Sequence, residues 1–446
     1  MLTLIKRKFH NLISDEKFSE ILTGSAWALS FRVIGAGLGL ISSIVIARLY
    51  GAELLGIVAM LDASLMLVTI LAMLGTNTAI LRLIPEHLVK YSPASAFNVY
   101  RKTLYLVIGA SLLTGVVFFS CASPIADKVF NKPHLSFFFA LTAVFVVFKT
   151  LMLLNTEAVR GLRLIRTFSF MQIMPHGFNL LLLLLLGLLV STRYVPVYAQ
   201  LCAYALTGIL GWAIMEYAFK KRMAPQDIVH SMTAREILFI SLPMLMTSMM
   251  VFIIGQTGIL MLGIFRPEAD VGYYAIAVKL ATLTSFMLQA VNSMAGPRFS
   301  ELFSLNKTDE LFYVARKSAK LIFWITSPIL LGLIVFGKPI LSVAFGATFS
   351  MAYPALVILV IGQFVHSISG ATGLFMNMIG KQKTFHNIMF LTLIANVVLN
   401  LLLIPKYGIY GAALTAMVSL SGWNIATLCY MKRVFGRTTG YFPTHA

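Results

Sequence analysis

Long apolar runs recur along the whole chain, separated by short polar stretches. A helix needs about 20 apolar residues to cross a bilayer. Twelve runs reach roughly that length, at residues 24–47, 54–76, 103–122, 137–157, 169–190, 196–218, 237–263, 271–295, 318–337, 354–376, 386–404 and 408–431. The pattern predicts an all-α polytopic membrane protein with about twelve transmembrane helices. Residues 1–23 break it. They mix charged and apolar positions, with no long apolar core and no cleavage-type site, so they are not read as a signal peptide. They are expected to form an amphipathic helix on the membrane surface.

Composition narrows the class. Of 446 residues, 59% are hydrophobic and 11% charged, and the mean hydropathy is +0.88. A soluble domain is normally about 45–50% apolar and about 25% charged. The chain could not cover its surface in water, which excludes a soluble enzyme, a disordered protein and a secreted disulfide scaffold. Lys and Arg number 35 against 16 Asp and Glu, yet no polar domain exists to carry them to a nucleic acid. Cys121, Cys202 and Cys429 lie far apart, without metal-ligand spacing. No metal, cofactor or catalytic residue is expected.

The basic residues give an orientation. The N-terminus, the loops after even-numbered spans and the C-terminus hold 25 Lys and Arg, with Lys320 at the edge of its span counted in the loop before it; the other loops hold 7, and three lie well within spans. Basic loops stay inside, so both termini should be cytoplasmic. Outer loops do not exceed about 16 residues and offer no platform for a catalytic centre. Transport is therefore favoured over membrane-embedded catalysis.

The two halves resemble each other. Gly211-Trp212 followed by Lys221-Arg222 matches Gly422-Trp423 followed by Lys432-Arg433, at an offset of 211. Gly56 to Arg82 matches Gly272 to Arg298 at offset 216. Gly161-Leu162-Arg163 with Thr167-Phe168 matches Gly380-Lys381 with Thr384-Phe385 at offsets of 217 to 219. Three matches in order suggest a six-plus-six duplication with parallel repeats, related by an axis along the membrane normal. The expected organisation is a surface segment (1–23), an N-lobe (24–222), a cytoplasmic linker (223–236), a C-lobe (237–433) and a cytoplasmic tail (434–446), with a cleft between the lobes.

Four ionisable side chains fall well inside spans: Arg32, Asp62, Lys149 and Lys279. Each costs about 2.5–3.5 kcal/mol at a helix centre on an insertion scale, so they should face protein or a wet cavity. The repeat sets Asp62 opposite Val278, beside Lys279, and Lys149 opposite His366. The set predicts a cationic cleft for an anionic ligand, with Arg32, Lys149 and Lys279 as its contacts. A guanidinium grips phosphate bidentately and an ammonium acts as a point charge. Asp62 and Lys279 are expected to pair across the lobes when the outer end is closed, with His366 as a secondary cavity residue. Each has a purely structural alternative: snorkelling for Arg32 and Lys279, an internal pair for Lys149, a bundle-core hydrogen bond for His366. Pro175, Pro243 and Pro328 interrupt helices 5, 7 and 9, as kinks do in many membrane helices.

The segment Gly24 to Glu86, with Arg48-Leu49-Tyr50-Gly51 leading to Leu55-Gly56, and the tail Pro405 to Lys432, with Tyr407-Gly408-Ile409-Tyr410-Gly411-Ala412-Ala413, resemble the polysaccharide transporter family. These are the Wzx-type O-antigen and oligosaccharide flippases of the MOP superfamily. The likeness runs along essentially the whole chain. It implies a two-lobed bundle with a central cavity in a bacterial inner membrane. The implied substrate is an undecaprenyl-diphosphate-linked oligosaccharide, moved from the inner to the outer leaflet. A glycan polymerase and chain-length proteins are implied partners, besides membrane lipids. The alternatives are an ion-coupled multidrug exporter of the MATE type and a membrane-embedded glycan polymerase. The first would want acidic cavity residues, and Asp62 stands against three cations; the second would want a large outer loop. A major facilitator protein would show a longer central loop than Lys220–Glu236.

Overall fold

The computed structural model describes residues 16–223 and 230–441, with side chains from residue 30 onward apart from 293 and 294. Most of the surface segment (1–15), most of the linker (224–229) and the end of the tail (442–446) lie outside the described residues. Among the described residues there are helices and turns but no strands. Among the same residues, ten helices are long and apolar enough to cross a membrane. The first, Ser30–Met73, is 44 residues long, about 66 Å at 1.5 Å per residue and twice a bilayer core. It contains two crossings. The helices Pro133–Val144 and Val146–Gly161, bent by 44° at their junction, form one more. The twelve-span expectation therefore agrees with the architecture.

The first two crossings belong to one helix, Glu16–Met73, broken at Gly51 (φ 84°, ψ 176°) into α1 (16–50) and α2 (52–73). That conformation is open to glycine and strained for a residue with a Cβ. Residues 16–23, expected within a separate surface helix, are continuous with α1. Then follow α3 (Thr76–Lys90), α4 (Pro93–Ser120), α5 (Ser136–Val144), α6 (Val146–Gly161), α7 (Ile165–Leu189) and α8 (Val195–Lys220). The second half repeats the series as α9 (Ala234–Phe265), α10 (Glu268–Ala281), α11 (Ser285–Ser304), α12 (Thr308–Ile340), α13 (Tyr353–Ser369), α14 (Thr372–Met378), α15 (Gln382–Tyr407) and α16 (Ile409–Phe435).

Irregular features repeat as well. A π-helical turn follows α4 at Ile125–Val129 and α12 at Leu341–Phe345, again 216 residues apart. Arg163 and Gly380, at offset 217, both take positive φ (58° and 73°) in the turns that follow α6 and α14. Rare backbone geometry at the same offset as the sequence matches is independent support for a duplicated unit.

Packing gives the molecule its shape. One apolar core contains residues of both halves, among them Leu54, Ile57 and Met60 of α2, Val271 and Leu280 of α10, and Leu356 and Val360 of α13. It fills the end away from the basic loops. Toward the basic end the core divides. One part, around Tyr100, Leu154 and Phe219, lies within the first half apart from Ile237. The other, around Phe299, Phe312 and Phe375, lies within the second. A bundle joined at one end and split at the other leaves a cleft open to the basic side. α9 partly covers one flank of it, where the backbone of Gly75 lies against Ser241 and Leu245.

Candidate functional site

The cleft is walled by α1, α2, α6, α7 and α8 of the first half and by α10 and the start of α11 of the second. It holds two chambers of about 440 and about 350 Å³ that share Gly39, Met152, Pro175, His176 and Lys279. Such volumes lie in the range of small-ligand sites, about 300–1,000 Å³. The chamber nearer the basic end is lined by Arg32, Glu157, Gln172 and Phe286 among others. The deeper one is lined by Ser42, Ser43, Asp62, Lys149, Asn179, Gln200 and Tyr204.

Two of the expected cations reach across the cleft from opposite halves. Arg32 on α1 donates through Nη1 to Oε1 of Gln289 on α11. Lys279 on α10 donates through Nζ to the Gly39 carbonyl at 2.6 Å and to Ser43 Oγ at 2.7 Å, both on α1. Each cation thus rests on neutral oxygens of the opposite half. A phosphate oxygen is a stronger acceptor for either, because it brings a full negative charge to a bond that is now charged on the donor side only.

The third cation is placed differently. Lys149, 4% exposed, binds Asp62 Oδ1 through Nζ at 2.6 Å and lies 4.5 Å from the centre of the Tyr204 ring. The Tyr204 hydroxyl donates to the same carboxylate oxygen at 2.7 Å, and Gln200 Nε2 donates to the Tyr204 hydroxyl at 2.8 Å. The expected Asp62–Lys279 pair is not made, although the far end is closed. The repeat places Asp62 and Lys279 at similar depth. The ammonium that reaches the carboxylate comes from α6 of the same half, and Lys279 is occupied on α1. His366 takes its structural alternative, a bundle-core hydrogen bond. It lines neither chamber; its Nδ1 accepts from Asn424 Nδ2 at 2.8 Å, and its ring meets Trp423 edge-on at 5.5 Å.

Sequence reasoning missed His176, Gln200, Tyr204, Asn179, Glu157 and Gln289. Gln200 and Tyr204 stand four apart in an apolar span, which puts both on one helix face. His176 adjoins Pro175. Those were the available signals. The deep chamber also holds two buried polar atoms without a protein partner, Ser42 Oγ and Asn179 Nδ2. Buried polar groups are rarely left so unless water or a ligand meets them. Among the described residues, no three His, Cys, Asp or Glu gather where they could hold a metal ion.

The far end is shut by matched contacts. The helix carrying Gly56 crosses that carrying Gly272 so closely that a Cβ on Gly56 would lie 1.8 Å from the Glu268 carbonyl oxygen. A Cβ on Gly272 would lie 2.2 Å from that of Ala52. The two glycines are 216 residues apart and each abuts the other's helix. Around them Arg48 donates to the Val343 and Ala344 carbonyls in the π-turn of the other half. Lys132 and His134 lie 3.5 and 3.3 Å from Glu268 Oε1, and Lys132 Nζ donates to the Arg266 carbonyl at 2.9 Å.

Comparison with known proteins follows the same lines. The sequence profile of a family described as polysaccharide biosynthesis protein matches residues 45–354. A probable low-salt glycan biosynthesis flippase, Agl15 of Haloferax volcanii, is 27% identical over 160 residues, 36% of this chain and 34% of that protein. The match thus spans about a third of that relative's length. Among solved structures, a multidrug resistance MATE family transporter of the MOP superfamily in an inward-facing conformation superposes with a TM-score of 0.73 at 15% identity, covering 92% of this chain and 98% of the other. The lipid II flippase MurJ in an inward closed conformation gives a TM-score of 0.72 at 15% identity, covering 91% and 87%. At that identity the likeness establishes the two-lobed MATE-like fold.

Proposed function

This chain belongs to the polysaccharide biosynthesis protein family, and from that membership we propose that it is a flippase for a lipid-linked oligosaccharide. Its substrate would be a glycan carried on a polyprenyl diphosphate, undecaprenyl diphosphate in a bacterial cytoplasmic membrane. The observation that carries this reading is the cleft itself: open toward the basic end, shut at the other, and bridged by Arg32 and Lys279 from opposite halves.

With the basic end in the cytoplasm, as its charge implies, the substrate enters from the inner leaflet. The diphosphate replaces Gln289 on Arg32, and Gly39 and Ser43 on Lys279, while the lipid tail stays in the bilayer. The glycan occupies the deeper chamber, where Ser42, Asn179 and Gln200 offer hydroxyl-directed hydrogen bonds. Binding one anion with cations of both halves draws the basic ends together. The contacts of Gly56, Arg48 and Glu268 must then break for the far end to open, which is alternating access by rocking of two lobes. No bond of the substrate is made or broken. A glycan polymerase and chain-length proteins would take up the product on the far side.

The MATE-like fold and the presence of Asp62 in the cleft favour an ion-coupled multidrug exporter as the second reading. Asp62 is neutralised by Lys149 and Glu157 by Arg160, which leaves the charge of Arg32 and Lys279 to dominate the lining and repel the cations such exporters carry.

The test is translocation of a fluorescent polyprenyl-diphosphate oligosaccharide in vesicles of reconstituted protein. Arg32→Ala and Lys279→Ala should each lower it at least tenfold at normal insertion. Wild-type rates in both would reject the cationic cleft as the substrate site.

A further inference from the structure

A larger cavity than either chamber lies elsewhere, at the basic end of the second half. It measures about 780 Å³. One wall is apolar, made by Val365 and Ile368 of α13 and Ile425 and Leu428 of α16. The rim is cationic, made by Arg316 of α12, Lys432 of α16 and Arg437. Arg437 is paired with Asp309, and Arg316 Nε donates to the Thr438 carbonyl at 3.2 Å. Among the described residues, the terminal nitrogens of Arg316 and Nζ of Lys432 meet no protein acceptor.

The last described segment builds the third side. After the left-handed Gly436 (φ 67°) the chain turns back over the helix ends. The Tyr441 N–H donates to the Ile368 carbonyl at 2.9 Å, and the Tyr441 ring packs on Phe323 at 5.6 Å and beneath Lys320 at 5.4 Å. Thr439 is 2% exposed. The segment is fixed there, and the cavity beneath it keeps its shape.

The duplicated half provides an internal control. Arg316 corresponds to Tyr100 at the offset of 216 shared by the π-turns that end both helices. Tyr100 is fully buried, donates to Asn155 Oδ1 at 2.8 Å and stacks on Phe219 at 5.6 Å. In the first half the place is filled by an aromatic cluster; in the second a guanidinium stands beside an open space.

We propose that this pocket binds one anionic phospholipid, its headgroup phosphate between Arg316 and Lys432 and an acyl chain along Val365, Ile368 and Ile425. Ile425, 50% exposed, places the apolar wall at the lipid-facing surface. The juxtaposition of that wall with a cationic rim at a helix-end interface matches the basic pockets in which membrane proteins hold anionic headgroups. The site is separate from the transport cleft and does not depend on its assignment.

Cys429 lines the pocket and is exposed, and Cys121, also exposed, lies in the other half as an internal reference. In nanodiscs of phosphatidylcholine alone, a small maleimide should modify Cys429 readily. A few mole per cent of phosphatidylglycerol should slow that reaction several-fold relative to Cys121. Arg316→Gln combined with Lys432→Gln should weaken the protection about 30-fold in lipid concentration, about 5-fold per charge. Arg316→Tyr, which borrows the residue of the matching half, tests the same point through native mass spectrometry: wild-type protein should retain one anionic lipid per chain and the variant none. Equal protection by phosphatidylcholine, full protection of the charge-removed variant, or protection by inorganic diphosphate without any lipid preference would each overturn the proposal.

Discussion

Replacing Gly56 by alanine should open the far end of the cleft. The new Cβ would lie 1.8 Å from the Glu268 carbonyl oxygen, where ordinary contact begins at 3.4 Å. The crossing helices must therefore part by about 1.6 Å along that line, and the atoms in the way are backbone, which cannot swing aside. Overpacking of this kind costs about 1–3 kcal/mol. At about 2 kcal/mol the closed form loses about 30-fold in its equilibrium with the open one, enough to raise a minor state of a few per cent to the majority. Ala59 lines the deep chamber, so Ala59→Cys in a background without the native cysteines reports access. A membrane-impermeant maleimide applied from the far side should label it on the order of 10-fold faster in Gly56→Ala. Gly272→Ala, with its Cβ 2.2 Å from the Ala52 carbonyl oxygen, should do the same. Gly109→Ala has no atom within 4 Å of its added Cβ and should leave labelling unchanged. Unaltered far-side labelling in a folded, correctly inserted Gly56→Ala protein would refute the glycine crossing as the gate.

Three further outcomes are expected. Lys149→Met should lower thermal stability in detergent by about 1–3 kcal/mol, less than the roughly 3–5 kcal/mol for a fully buried pair because the Asp62 side chain is 37% exposed to the chamber; adding Asp62→Asn should restore part of it, and strictly additive losses would argue against coupling. Arg48→Ala removes the donors to the Val343 and Ala344 carbonyls and should raise far-side access to Ala59→Cys less than Gly56→Ala does, with no gain counting against the latch. His366→Phe should cost about 1–3 kcal/mol of stability by leaving Asn424 short of a partner while glycan translocation per inserted molecule stays at the wild-type level; a selective transport defect would return His366 to a role in the cleft.

The crossings were readable because lipid imposes a length on apolar runs, and the duplication because matched glycines and basic pairs recur in the same order at offsets of 211 to 219. Which side chains share a cavity was harder to read. A soluble helix announces its inner face through a polar outer one; here both faces are apolar, so sequence gives depth but little azimuth. Asp62 and Lys279 illustrate the gap, since equal depth suggested a pair that the rotation of α6 instead gives to Lys149. Arg32 and Lys279 needed no azimuth, because burying an unpaired cation toward lipid is costly enough to fix its direction. Gly51, Gly56 and Arg48 were noticed as a family-like passage. Their separate jobs, a bend, a crossing and a latch, depend on contacts with residues more than two hundred positions away and could not be read from the passage alone.

The glycine crossing has a further consequence. A residue that touches its own counterpart across a twofold axis makes an isologous contact, the kind that holds a symmetric dimer together. A single half of this chain would already carry both faces of that contact, and two copies of the half could shut one end of a shared channel before any fusion joined them. Fusion frees each copy to change alone. The two halves differ away from that contact, one carrying the Asp62–Lys149 pair and the other His366 and Asn424, while a glycine stands on both sides of the point at which they meet.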